Sequence, residues 1–237
     1  IKYFLIQAIA STMILFSSTI NAIQTGQWNI LQMNEKFACT MLLLALTMKM
    51  GAAPIYFWLP EVMQGATTTT GLIIGTWQKI GPITIMFMTH NNLPPKITMT
   101  IGITSAIIGG WGSINQTQLR KLMAYSSIAN LGWTMVIFTT SPNTAALNIT
   151  MYIIMLNPTL LLIKDMNMKT LKDASTAWTT APMTSTLLAL ILLSLSGLPP
   201  LTGFTPKLLI LNELVTQNLM PIAMTMAMLS LINLFFY

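Results

Sequence analysis

Apolar stretches of about 20 residues, the length an α-helix needs to cross a bilayer, recur along this sequence between polar or proline-bearing connectors. No period-2 alternation runs through them, so they read as helices rather than strands. In lipid, backbone amides and carbonyls find partners only inside a helix or a closed barrel, which leaves few architectures open. Only 7% of the 237 residues are charged and 54% are hydrophobic, whereas a soluble domain carries roughly 25% charged residues. The expected fold is therefore an all-α integral membrane bundle whose helices face lipid or one another.

About eight transmembrane helices are expected, near residues 3–20, 37–53, 70–89, 97–111, 119–139, 145–163 and 183–216, with a last one starting near residue 220. A proline-bounded segment, 54–60, follows the second, and Gly197-Leu198-Pro199-Pro200 interrupts the seventh. A polar connector with alternating Lys and Asp, 164–180, follows the sixth. Threading the chain through these spans puts Lys2, Arg120, Lys121, Lys164, Lys169 and Lys172 on one side, and Lys36 and Lys96 on the other. The richer side is then cytoplasmic or, in a mitochondrion, the matrix side. The chain opens with Ile1, ends within the apolar run 229–237 and carries no signal-peptide pattern. It reads as a single transmembrane domain, 1–237, belonging to a longer protein and cut at both ends.

Several function classes drop out. The formal charge of +6 comes from few, scattered cations, with no basic patch interleaved with aromatics, so nucleic acid is not an expected partner. The lone Cys39 excludes a disulfide framework and a cysteine metal cluster, and reads as a small buried hydrophobe. Metal-ligand spacing, nucleophile triads, phosphate loops and nucleotide fingerprints are all absent from the sequence, so a self-contained enzyme site is not expected. His90, beside Asn91-Asn92, reads as a loop histidine. The sequons at Asn115 and Asn148 fall in the cation-rich loop and within a span, and neither reads as glycosylated. Twenty methionines and abundant threonine suit a chain encoded in animal mitochondria.

Three of the eleven cations, Lys49, Lys79 and Lys207, lie within or at the broken middle of apolar runs. A charge at membrane depth costs about 2.5 to 3.5 kcal/mol on insertion scales, so such residues face the bundle interior and point to function. Each stands beside a helix breaker: Lys49 before Gly51 and Pro54, Lys79 before Gly81-Pro82, and Lys207 directly after Pro206. An interrupted helix frees backbone groups that water or protein must satisfy, which is how transporters build hydrated ion sites near the midplane. Because burial disfavours the charged form of an amine, lysine plus break points to a proton or cation path. The bland alternative is a lysine that snorkels to the headgroups. Among the acids, Glu35, Asp165 and Asp173 fall in polar connectors, Glu61 at a turn, and Glu213 off the helix face of Lys207. None is a convincing partner for a buried lysine.

Four strings then carry a resemblance: Lys49-Met50-Gly51-Ala52-Ala53-Pro54-Ile55-Tyr56-Phe57-Trp58-Leu59-Pro60-Glu61-Val62; Thr76-Trp77-Gln78-Lys79; Gln116-Thr117-Gln118-Leu119-Arg120-Lys121-Leu122-Met123-Ala124-Tyr125-Ser126-Ser127; and Gly197-Leu198-Pro199-Pro200-Leu201-Thr202-Gly203-Phe204-Thr205-Pro206-Lys207. In this order they closely resemble the subunit 2 family of NADH dehydrogenase (ubiquinone), antiporter-like membrane subunits of mitochondrial respiratory complex I. The resemblance covers essentially the whole chain. It implies an inverted-repeat, antiporter-like bundle with a discontinuous helix in each repeat. Lys49 and Lys207 would lie on those helices, with Lys79 as the central lysine between them. It further implies that the three lysines are proton-transfer stations and that a glutamate upstream of Ile1 pairs with the first. Two positions depart from the pattern, with Tyr56 and Asn130 where relatives usually have histidine.

The implied activity is proton translocation coupled to electron transfer from NADH to ubiquinone, in the mitochondrial inner membrane. No cofactor or metal is expected in this chain: NADH, FMN, iron-sulfur clusters and ubiquinone would be used by other subunits of the complex. Its partners would be those membrane subunits and the lipid bilayer, with protons the only substrate bound directly. Two other readings stay open, a stand-alone monovalent cation/proton antiporter and a structural subunit whose lysines only meet lipid headgroups.

Overall fold

The computed structural model describes residues 1–33 and 35–236, so Tyr237, last in the terminal apolar run, lies outside the described residues. Among the described residues there are twelve α-helices, one short 3-10 turn (Ile30–Gln32) and no strand. The helices are α1 (Lys2–Thr25), α2 (Lys36–Met50), α3 (Trp58–Gly65), α4 (Thr68–Gly75), α5 (Trp77–Thr89), α6 (Pro95–Ile114), α7 (Leu119–Phe138), α8 (Pro142–Asp165), α9 (Leu171–Thr180), α10 (Pro182–Ser196), α11 (Phe204–Thr216) and α12 (Met220–Phe236). Three of them, α1, α6 and α8, are long and apolar enough on their own to cross a membrane.

The other expected spans are shorter or interrupted. The expected span 70–89 is two helices, α4 and α5, joined at Thr76. Helix α5 runs through Pro82 instead of stopping at Gly81-Pro82. At Thr76 the amide and the hydroxyl both take the Leu72 carbonyl, at 3.0 and 2.7 Å, and φ of −117° with ψ of −72° turns the chain out of register. The segment 54–60 is a turn that ends inside α3. There the indole N–H of Trp58 donates to Met48 O at 3.2 Å and satisfies a carbonyl left open at the end of α2. The expected polar connector 164–180 contains a helix, α9. Its start is a reciprocal cap in which the Thr170 hydroxyl accepts the Asp173 N–H and the Asp173 carboxylate accepts the Thr170 N–H.

Helix α7 is the axis of the bundle. Residues 131–138 are all buried, as an all-round apolar helix must be, and α6, α8, α3 and α11 pack around it. Helices α6 and α7 approach backbone to backbone: a Cβ on Gly132 would sit 2.6 Å from the Ala106 amide nitrogen and 2.7 Å from Gly102 O. Small residues at such a seam allow the close packing that holds helices together in lipid.

Side-chain and loop contacts define the two ends. Lys2 pairs with Glu61, Arg120 Nη1 donates to Ala66 O at 2.6 Å, and the Leu119 N–H donates to Lys169 O at 3.2 Å. Lys2, Arg120 and Lys169 therefore share contacts at one end, as the loop charges imply. Elsewhere, Asn92 Nδ2 donates to Leu31 O at 3.2 Å, joining the turns that precede Lys36 and Lys96.

Candidate functional site

Lys79 and Lys207 occupy matching places in the fold. Each lies in the first turn of a helix that follows an interruption, α5 after Thr76 and α11 after the 197–203 segment. Both are buried, at 3% and 6% exposure.

Their surroundings differ. Lys207 Nζ donates to Ser196 O at 2.7 Å and to Leu195 O at 3.3 Å. These are carbonyls at the C-terminal end of α10, where the helix leaves acceptors unpaired and its dipole favours a cation. The ring of Trp133 lies 5.9 Å from the same nitrogen. Gly197 makes this possible: with φ of +89° it ends α10 in the left-handed region, and a Cβ there would sit 3.0 Å from Lys207 Nζ. Lys79 Nζ, in contrast, has no hydrogen-bond partner among the described protein groups and lies 5.1 Å from the centroid of the Tyr152 ring.

Two small cavities, each about 10 Å³ and so near the room one water needs, adjoin these surroundings. The first is lined by Lys79, Asn130, Thr134 and Tyr152 with apolar neighbours. The second is lined by Asn130, Asn148 and Tyr152 together with Leu195, Gly203 and Pro206 of the α10–α11 break. Asn130 and Tyr152 are common to both, so polar groups from α7 and α8 lie between Lys79 and the break that precedes Lys207. Asn148, on α8 one turn before Tyr152, is 2% exposed.

Lys49 does not join them. It is half-buried in the last turn of α2, which ends at Gly51 with φ of +78°, and none of its neighbours Met48, Met50 or Gly51 lines either cavity, whereas Pro206 beside Lys207 lines one. Its carbonyl accepts from Gln7 Nε2 at 3.2 Å. Glu61 is exposed and paired with Lys2 rather than with a buried lysine. Among the described residues no carboxylate lies within ion-pair distance of Lys49, Lys79 or Lys207. Tyr152 and Asn148 were not legible as site residues beforehand. Their signal is a polar pair four residues apart in an otherwise apolar helix, one face of one turn.

An all-helical bundle with buried lysines beside interrupted helices is the architecture of antiporter-like membrane subunits. The family model described as NADH:quinone oxidoreductase/Mrp antiporter, TM, matches residues 1–233. Curated relatives named NADH-ubiquinone oxidoreductase chain 2 from Xenopus laevis, Carassius auratus and Varanus baritji are each 48% identical over 236 residues, covering 100% of this chain and 68% of theirs. The chain belongs to the NADH:quinone oxidoreductase/Mrp antiporter transmembrane family. Two solved structures share the fold. One is respiratory complex I from Thermus thermophilus, with a TM-score of 0.89, 24% identity, and 98% of this chain aligned to 56% of that one. The other is the Mrp complex from Dietzia sp. DQ12-45-1b, with a TM-score of 0.87, 16% identity, and 99% of this chain aligned to 48% of that one. The chain thus spans about half the length of the solved chains it matches.

Proposed function

We propose that this chain is a membrane-arm subunit of proton-translocating NADH:ubiquinone oxidoreductase, in which Lys79, Lys207 and Lys49 transfer protons. The observation that carries the reading is the pair of buried lysines whose surroundings meet at Asn130 and Tyr152. The 48% identity to relatives named as chain 2 of that enzyme favours it over a stand-alone cation/proton antiporter.

The two stations offer a cation different things. Lys207 gives an ammonium two carbonyl acceptors, whereas Lys79 gives it only an aromatic face. Water between Asn130, Asn148 and Tyr152 would carry the proton from one to the other, while Lys49 at the end of α2 serves the first interruption. Each proton moved against the membrane potential requires about 2.3 kcal/mol per 100 mV, so the amines must change proton affinity during turnover. The energy comes from redox chemistry in other subunits, which hold NADH, FMN, iron-sulfur clusters and ubiquinone. In this reading α1, α2–α3, α4–α5, α6, α7, α8, α10–α11 and α12 make eight crossings of the mitochondrial inner membrane, two of them, α2–α3 and α10–α11, being the discontinuous helices of an inverted repeat and α4–α5 a third crossing broken at Thr76, and α9 lies along one surface.

The test replaces Lys79 and Lys207 by Met and measures NADH oxidation and proton uptake together in sealed vesicles holding the assembled complex. Fewer protons per NADH are expected. Unchanged stoichiometry would reduce both lysines to structural groups, and sodium-coupled transport by the isolated chain would favour the antiporter instead.

A further inference from the structure

At the cation-rich end, the α6–α7 loop is bridged to the α8–α9 loop. The Leu119 N–H donates to Lys169 O at 3.2 Å and the Leu171 N–H to Thr117 O at 3.0 Å. Two clefts adjoin this bridge. One, of about 320 Å³, is lined by Gln64, Gln118, Arg120, Lys169 and Thr170. The other, of about 310 Å³, is lined mainly by apolar side chains, among them Leu119, Met168, Leu171, Trp178, Leu188 and Leu192. Neighbours in sequence divide between them: Gln118 and Arg120 face the first while Leu119 faces the second, and Lys169 faces the first while Met168 faces the second.

The polar cleft carries the donors that a phosphate needs: a guanidinium, an ammonium, two amides and a hydroxyl. The guanidinium is held in place by its bond to Ala66 O, and its Nε is buried without a partner among the described protein groups. Asp173, whose Oδ2 accepts the backbone N–H groups of Lys169 and Thr170 at 2.9 and 2.8 Å, lines neither cleft. Above the apolar cleft, α9 exposes Leu171 and Trp178, and tryptophan collects where membrane meets water. Lys164 and Lys172 are also exposed in this region, which draws anionic headgroups to the surface.

We propose that the two clefts together bind one anionic phospholipid, its phosphate between Arg120 and Lys169 and an acyl chain beneath α9. Charge complementarity and the side-by-side polar and apolar linings select an amphiphile over a free anion or a purely apolar molecule. The site is separate from the buried lysines, so it stands or falls independently of the proton-transfer reading.

The test uses the full-length chain in its membrane assembly, stripped of lipid by detergent exchange. Brominated phosphatidylglycerol or phosphatidylcholine is added back and the quenching of Trp178 is read as the difference from a Trp178→Phe control. Lys169→Gln is expected to weaken phosphatidylglycerol binding about tenfold, the size of one lost charged hydrogen bond, and to weaken phosphatidylcholine less, because its choline already offsets the phosphate charge. Lys169 is exposed and only a minor charge contact ties its side chain to Asp173 of α9, whose cap rests on backbone N–H groups, so the variant keeps the fold. Ala189→Phe, which fills the apolar cleft, is expected to weaken both lipids. Equal phosphatidylglycerol binding by parent and Lys169→Gln overturns the proposal. Displacement of the lipid by tens of millimolar inorganic phosphate, on the order of weak free-anion binding, also overturns it, since the clefts would then hold a soluble anion.

Discussion

Lys207 Nζ donates to Ser196 O across the interruption between α10 and α11, at 2.7 Å. A single side chain thus closes the end of one half-helix from the first turn of the next. The close partner of that arrangement is Gly197, the residue that reverses the chain.

Gly197→Ala should loosen this contact. The left-handed backbone costs an alanine about 1–2 kcal/mol, and the new methyl would press on Lys207 Nζ at 3.0 Å. A fall of a few degrees in the thermal midpoint is expected, roughly 2–4 °C per kcal/mol for a chain of this size, together with lowered proton transfer. A variant that melts and pumps like the parent would separate Gly197 from Lys207.

At Lys79 the ring of Tyr152 is the feature to remove. Cation–π contacts away from water contribute about 2 kcal/mol. Tyr152→Leu should therefore slow coupled proton transfer by roughly an order of magnitude, whereas Tyr152→Phe keeps the aromatic face and most of the rate. Equal loss in both variants would assign the effect to the hydroxyl instead.

The α6–α7 seam has no room for a side chain. Gly132→Leu should force the two backbones apart and cost about 3 kcal/mol, the upper part of the usual overpacking range. Blue-native electrophoresis and thermal unfolding would read this as lost assembly and a lower midpoint. Normal assembly of the variant would mean that the seam opens without penalty.

Asp173 gives a dependence on pH outside the membrane spans. Hydrogen bonds from the Thr170 and Lys169 amides hold its carboxyl below the usual carboxylate range. A lowered folded value means that the cap is fully present above the ordinary value of 3.8 and is lost as the pH falls through the folded one. Hydrogen exchange at the start of α9 should accelerate only under that acidic condition in the parent. In Asp173→Ala it should be fast at neutral pH and change little on acidification. Parent-like protection in the variant would show that packing, rather than the cap, holds α9.

Part of the site was readable from residue order. Gly197-Leu198-Pro199-Pro200 announces an interruption because a left-handed glycine and two prolines cannot continue a helix, and the structure breaks there. Gly81-Pro82 carries the same kind of signal, yet α5 continues through it and the break falls at Thr76, where a hydroxyl competes with the backbone for Leu72 O. Thr170-Leu171-Lys172-Asp173 is a capping signature, but in a polar stretch its helix is hidden until Ala177, Leu171 and Trp178 pack against or beside α10.

By itself, the sequence determined that this chain is a bundle of helices for lipid and that three lysines lie within its apolar runs. Composition and the spacing of helix breakers are properties of the chain read in order, and the cost of charge in lipid acts on them directly. Only the tertiary structure decided that a cavity at Lys79 and another at the α10–α11 break beside Lys207 share Asn130 and Tyr152 as walls, while Lys49 stands apart, half-buried. Those neighbours come from helices tens of residues away, and which faces meet is set by close packing such as the Gly102–Gly132 seam.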